Sequence, residues 1–260
     1  MGKVFLVGAG PGDPELLTVR AARLLREADL VLHDALVSSE ILDLISPRAQ
    51  VVDIGKRCAT KLLTQQEINA LLIHSAAEAN IVVRLKGGDP SIFGRAGEEI
   101  EALAEAGISF EVVPGITSAL ASAAAAGISL TDRRFASSVV FTTAHCHQDA
   151  GAIAWKQLVD SHSTLAIYMP GSSFRQLCNQ LHQAGLPPYT PCTLVSRAGR
   201  IDQRILYTNL AALPECDSLP APTLLIIGEC ARPLHAFTNQ EMNEFICQQK
   251  VSATGEKPAN

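Results

Sequence analysis

Short apolar runs alternate down the first half of the chain with stretches whose apolar positions recur every three to four residues. Residues 4–7, 30–32, 51–54, 81–85 and 110–113 are brief, mostly apolar and bounded by polar or turn-forming residues, which predicts five strands. Between them, Leu17, Ala21, Leu24, Leu25 and Ala28 keep helical spacing. They follow Asp13, Pro14 and Glu15, residues suited to the cap, the first position and the positive end of a helix. Thr64 and Glu67 make a capping box, with Ile68, Leu71 and Leu72 on the helix behind it. Ile100, Leu103 and Ala104 mark a helix over 96–106, and Gly107 supplies its stop. Such alternation predicts an α/β fold: a mostly parallel sheet with helices on both faces.

Pro114 and Gly115 mark a boundary between an N-terminal α/β domain (1–114) and a C-terminal one (115–247). An alanine-rich helix over 117–126 ends at Gly127. Strands follow at 138–142, 165–169, 192–195, 205–207 and 223–227, with a helix over 173–184 before Gly185. Helices are fewer per strand here, which predicts a mixed sheet. Residues 248–260 read as a polar, frayed tail. No internal repeat is visible.

Composition narrows the function. Hydrophobic residues make up 47% of the 260 and charged residues 18%, enough for a sizeable core. A net charge of −5 argues against non-specific nucleic-acid binding, so an acidic ligand must be met by local cations. The seven cysteines are scattered and odd in number, which argues against a disulfide framework and for a reducing compartment, the cytoplasm. Met1, Gly2 and Lys3 run straight into a strand, leaving no expected signal peptide. The apolar run 119–128 is too short to span a bilayer.

The densest chemistry lies at 82–95. A strand over 81–85 breaks at Lys86, Gly87, Gly88, Asp89 and Pro90 before a helix begins. Glycines there let a ligand lie against the main chain, and strand-loop-helix junctions are where open α/β sheets place ligands. A tight connection without a ligand is the alternative. Asp34 and Lys56 each stand just past a strand end, which on a parallel sheet faces the same side as 86–90. A carboxylate there can take a proton, and a lysine can supply one or bind an anion. Gly8 and Gly10 suggest a dinucleotide fingerprint, but its third glycine falls on Asp13, whose charge would repel a pyrophosphate. Gly8, Gly10 and Gly12 also satisfy a looser glycine pattern that a plain strand-to-helix turn explains equally well. The pair Arg133 and Arg134 is either solvated or serves an acidic substrate. His145, Cys146 and His147 look like a metal tract, but no further ligands stand at a useful spacing, so no metal is expected.

Residues 7–14 (VGAGPGDP), 55–57 (GKR), 82–90 (VVRLKGGDP), 93–95 (FGR), 112–117 (VVPGIT), 127–131 (GISLT), 168–169 (YM), 202–204 (DQR) and 228–229 (GE) occur in one order. In this the chain resembles, from about Val4 to Ala231, the uroporphyrinogen-III C-methyltransferase family of tetrapyrrole methyltransferases. The resemblance implies two α/β domains with the active site in a cleft, a homodimer, and S-adenosylmethionine as methyl donor. It implies cofactor contacts at Pro11, Gly87, Gly88, Asp89, Ile92, Thr117, Ser118, Met169 and Ala198. It also implies a proton acceptor at Asp34 and a donor at Lys56. His33 stands where the family often has tyrosine. Ser196, Arg197 and Ala198 replace a Glu-Asn-Gly-like segment, so a contact at Ala198 rests on the backbone. The implied form is stand-alone, without dehydrogenase or ferrochelatase steps.

The implied chemistry is two C-methylations of uroporphyrinogen III, through precorrin-1 to precorrin-2, for siroheme or cobalamin synthesis. A macrocycle with eight carboxylates needs cations, and Arg57, Arg95, Arg133 and Arg134 are the candidates alongside Lys56. The electron-rich pyrrole carbon attacks the methyl group, so alignment and proton removal are left to the protein. The alternatives are a sibling methyltransferase acting on a later corrin precursor, and a non-catalytic nucleotide- or tetrapyrrole-binding module.

Overall fold

The computed structural model describes residues 2–55, 63–144, 153–171 and 173–233. By compactness these form two units. The first takes the chain up to Ser122 and adds Val195–Arg204 and Leu219–Leu224; the second takes the remainder.

Five strands build the first sheet: β1 (Lys3–Gly8), β2 (Leu30–His33), β3 (Gln50–Asp53), β4 (Ile81–Lys86) and β5 (Phe110–Val113). Their order is β3-β2-β4-β1-β5, and every pairing is parallel. The connections from β1 to β2 and on to β3 run one way across the sheet, and those from β3 to β4 and β5 run back. Right-handed crossovers then force the helices onto opposite faces. Accordingly α1 (Val19–Glu27) and α2 (Ser39–Leu42) pack Ala21, Leu24, Leu25 and Ile41 with Val7, Val31, Val83 and Leu85. On the other face, α3 (Gln65–Glu78) and α4 (Ala96–Glu105) pack Leu72, Ala76 and Leu103 with Val4, Leu30, Leu32 and Val82. Alternate residues of each strand therefore serve opposite layers. Neighbouring β1 and β4 send the chain off in opposite directions, which opens a crevice at their carboxyl ends.

The second sheet has the order β6-β7-β10-β8-β9 and is mixed, as the scarcity of helices predicted. Its strands are β6 (Val139–Thr143), β7 (Thr164–Tyr168), β8 (Pro191–Ser196), β9 (Arg204–Asn209) and β10 (Thr223–Ile227). The helices along this part of the chain are α5 (Ser118–Ala125), α6 (Trp155–Asp160) and α7 (Arg175–Gln183).

Two local results bear on the sequence rules. The helix expected from Pro14 through Ala28 is two pieces: a 3-10 turn, Pro14–Leu16, and then α1. Asp13 spends its carboxylate on the Glu15 amide (2.9 Å), Leu17 is extended, and Thr18 caps afresh by accepting from the Ala21 amide at 3.1 Å. The capping box of α3 is complete: the Glu67 amide donates to Thr64 Oγ1 (3.2 Å) and the Thr64 amide to Glu67 Oε2 (2.6 Å). Thr64→Ala is expected to lower stability by about 1 kcal/mol, seen as a lower urea midpoint at unchanged slope.

Candidate active site

The two glycine loops at the crevice are bonded to each other. Gly10 donates its amide to the Gly88 carbonyl (3.0 Å), and the Gly88 amide donates back to Gly10 (2.7 Å). The Ala9 amide donates to the Lys86 carbonyl at 2.7 Å. Such close passage of backbones requires residues without side chains. A Cβ on Gly8 would lie 2.6 Å from Gly115 Cα, and one on Gly115 would strike the Gly88 carbonyl oxygen. Gly88 itself is left-handed (φ 68°), with Thr117 Cα and the Ser118 nitrogen 3.8 and 3.9 Å from where its Cβ would stand. Between these backbones lies a cradle that a side chain at 88 would enter.

Asp89 braces that cradle. One carboxylate oxygen accepts from the Gly115 amide (2.9 Å); the other accepts from the Ser91 amide (2.8 Å) and hydroxyl. Ile92 follows, its amide donating to the Asp89 carbonyl. Phe93 and Arg95 are both left-handed (φ 52° and 56°), a concentration of strained backbone of the kind found at functional sites. Pro11 packs against Gly199, where a Cβ would lie 2.8 Å from Pro11 Cγ, so the structure brings Pro11 beside buried Ala198. Thr117 is buried and Ser118 begins α5. Of the nine expected cofactor contacts, eight belong to the first unit. Met169 belongs to the second, directly after β7, left-handed (φ 48°) and 60% exposed.

Asp34 directly follows β2 and lies at the rim of a buried ionic cluster. Its Oδ1 accepts from Arg84 Nη2 at 2.6 Å. Arg84 Nε donates to Glu99 Oε1 (3.0 Å), and Lys86 Nζ donates to both Glu99 oxygens (2.8 Å each). Side-chain exposure is 3% for Arg84 and Lys86, 0% for Glu99 and 30% for Asp34. Burial, with the neighbouring Arg84 charge, pushes the Lys86 ammonium below its usual range, and Glu99 opposes that. Beside Asp34, His33 is buried with Nδ1 3.1 Å from the Asp34 carbonyl oxygen.

The expected substrate cations are less uniform. Lys56 and Arg57 lie outside the described residues, as do His145, Cys146 and His147. Arg95 meets Glu98 through two 2.7 Å hydrogen bonds, which raise its pKa further. Arg134 bonds Asp132 at 2.9 and 2.6 Å and stacks on Phe135, and this pairing holds the Asp132 carboxyl at about 2. Arg133 is exposed. Surface pairs of this type are weak, so Arg95 and Arg134 remain exchangeable toward another carboxylate. Among the described residues no group of His, Cys, Asp and Glu has a metal-holding arrangement, and no helix is long and apolar enough to cross a membrane.

The family model of the tetrapyrrole (corrin/porphyrin) methylases matches residues 3–214. The chain belongs to this family. Curated relatives include siroheme synthases of Hahella chejuensis, 48% identical over 231 residues, and of Methylococcus capsulatus, 49% identical over 232. Each match covers 88% of this chain and 49% of the relative, so the chain spans about half the length of the curated relatives it matches. Among solved structures, a uroporphyrin-III C-methyltransferase from Thermus thermophilus complexed with S-adenosyl homocysteine is 38% identical, with a TM-score of 0.77. That match covers 89% of this chain and 94% of that one. A cobalt precorrin-4 methyltransferase has a TM-score of 0.80 at 28% identity, covering 89% and 96%.

For this tetrapyrrole methylase, sequence reasoning missed Arg84 and Glu99 as site residues. Their signal was present. Glu99 lies on the same helical face as Ala96 and Leu103, both buried, so a carboxylate interrupts the apolar stripe of α4. Arg84 interrupts a strand whose other positions before Lys86 are aliphatic. Two such interruptions facing each other announce a buried pair.

Proposed function

We propose that this chain is an S-adenosylmethionine-dependent methyltransferase that methylates uroporphyrinogen III at two ring carbons, giving precorrin-2 by way of precorrin-1. The observation that carries the reading is a glycine-lined cradle at the β1/β4 crevice with Asp34, tethered by Arg84, on the same sheet edge. The identity of 38% to a uroporphyrin-III C-methyltransferase supports it over a sibling acting on a later corrin precursor, whose relative stands at 28%.

The residues present suit the cofactor. Left-handed Gly88 leaves its main chain open to close approach, Asp89 holds Gly115 in place, and Thr117 and Ser118 back the cradle. The resemblance adds Pro11, Gly87, Ile92, Met169 and Ala198 as contacts. S-adenosylmethionine, when bound, supplies an electrophilic methyl group. The protein aligns the substrate, and Asp34 takes the proton that the methylated macrocycle then gives up from a ring N–H or a methylene bridge. That loss returns an electron pair to the positively charged ring. Lys56 is assigned as proton donor, and Arg57, Arg95, Arg133 and Arg134 as partners for substrate carboxylates. The protein works as a cytoplasmic homodimer in this reading, an assembly that light scattering reads directly.

Mass spectrometry of the product from purified protein, S-adenosylmethionine and uroporphyrinogen III tests the proposal. The expected product carries two added methyl groups, with matching S-adenosylhomocysteine. Methylation only of a later corrin precursor would assign the sibling activity. No S-adenosylhomocysteine from any tetrapyrrole would leave a binding module.

A further inference from the structure

Arg84 and Lys86 lie two residues apart on β4 and so share a face, the one covered by α4. That face is otherwise built from aliphatic side chains. Two cations and Glu99 are instead buried there almost completely. Buried ion pairs stabilise no better than well-packed apolar residues of similar volume, so fold stability alone does not account for them. Of its four members only Asp34 is appreciably exposed among the described residues.

The charges close only with Asp34 included. Arg84 and Lys86 supply two positive charges, and Glu99 and Asp34 two negative. Asp34 Oδ1 is taken by Arg84, while no hydrogen bond to Oδ2 is made by the described residues. Among the described residues the charged groups packed against Asp34 are those of the cluster, while His33 and its register partner Asp53 on neighbouring β3 alternate onto the opposite face of the sheet. The Asp53 carboxylate accepts from the Gly55 amide.

We infer that Glu99 is a positioning residue for the proton acceptor, an inference that rests on Asp34 filling that role. Glu99 fixes the Arg84 guanidinium through Nε and satisfies Lys86. It thereby holds Asp34 in one orientation and limits the cationic pull on its free oxygen. In the step served, an N–H bond of the methylated ring or a C–H bond of the neighbouring methylene bridge breaks, its electron pair returns to the ring, and the proton joins Asp34 Oδ2.

The test is the pH profile of single-turnover methyl transfer in the full chain. Glu99→Gln removes the counter-charge of Lys86, whose ammonium burial already disfavours, and loosens the hold on the Arg84 guanidinium, so its plateau rate is expected to fall about tenfold to a hundredfold. Lys86→Met removes a cation, and the acidic limb of its profile is expected to move to higher pH. Substrate carboxylates titrate alike in every variant, and S-adenosylhomocysteine affinity by calorimetry is expected to hold throughout. Glu99→Gln added to Asp34→Asn is expected to slow the reaction no further, because both act through one carboxylate.

A slow Asp34→Asn together with a parent plateau rate in Glu99→Gln and an unmoved limb in Lys86→Met would leave the acceptor standing and remove Glu99 from the mechanism. The same holds for an equal further loss on adding Glu99→Gln to Asp34→Asn. An Asp34→Asn enzyme of full rate would remove the acceptor itself, and this inference with it. Loss of fold in both Glu99→Gln and Lys86→Met would assign the cluster to stability alone.

Discussion

Asp34→Asn is expected to slow methyl transfer about a hundredfold to ten-thousandfold while S-adenosylhomocysteine affinity stays near that of the parent. The range is that of a positioned general base. Asparagine keeps the shape and an acceptor oxygen for Arg84 Nη2, so the tether survives in weakened form. Arg84 retains Glu99, and the Asp34 side chain is 30% exposed, so water screens what is lost. The stability cost should therefore be on the order of 1 kcal/mol. Were Asp34 only ordering the loop that follows β2, stability or binding would fall before rate. The loop has its own bonds for that: the Asp34 amide donates to the Leu85 carbonyl (3.2 Å) and the Val37 amide to the Asp34 carbonyl (3.2 Å). A folded Asp34→Asn enzyme with full single-turnover rate would end the base assignment.

Which parts of this were legible in the sequence follows from the range of the forces involved. Strands β1 to β5 and helices α3 and α4 were readable because burial on one face imposes a period on their own residues. The capping box was readable because its donors and acceptors lie three residues apart. Helix α2 has four residues, too few to show a period. The break at Leu17 was hidden because Asp13 and Thr18 are both good caps, and apolar spacing alone cannot say that each starts its own turn. At the site, glycines at 8, 10, 87 and 88 could be seen, but that Gly10 and Gly88 bond each other could not. The partners are 78 positions apart in sequence. The return of Val195–Arg204 and Leu219–Leu224 to the first unit likewise carries no local signature. Arg84 and Glu99 were the recoverable omission, since a charge in an apolar stripe can be seen without any structure.

Gly88→Leu is expected to abolish cofactor binding out of proportion to its effect on folding, and Gly115→Ala to damage both. The contrast comes from what each new side chain meets. At position 88 the Cβ has ordinary room, 3.8 Å from Thr117 Cα and 3.9 Å from the Ser118 nitrogen. The penalty there is the left-handed backbone, about 1–2 kcal/mol for a residue with a side chain. The rest of the leucine then occupies the cradle in front of Thr117 and Ser118, and affinity for S-adenosylhomocysteine should fall at least about a hundredfold, roughly 3 kcal/mol. At position 115 a methyl group strikes the Gly88 carbonyl and lies 2.8 Å from Gly8 Cα, so backbone has to move. Overpacking of this kind costs about 1–3 kcal/mol or more, and the movement displaces the Gly115 amide from Asp89. Thermal unfolding and calorimetry on both variants separate the two effects. Unchanged affinity in a folded Gly88→Leu protein would place the cofactor elsewhere than this cradle. A Gly115→Ala protein as stable as the parent would mean that the three backbones do not pass each other so closely.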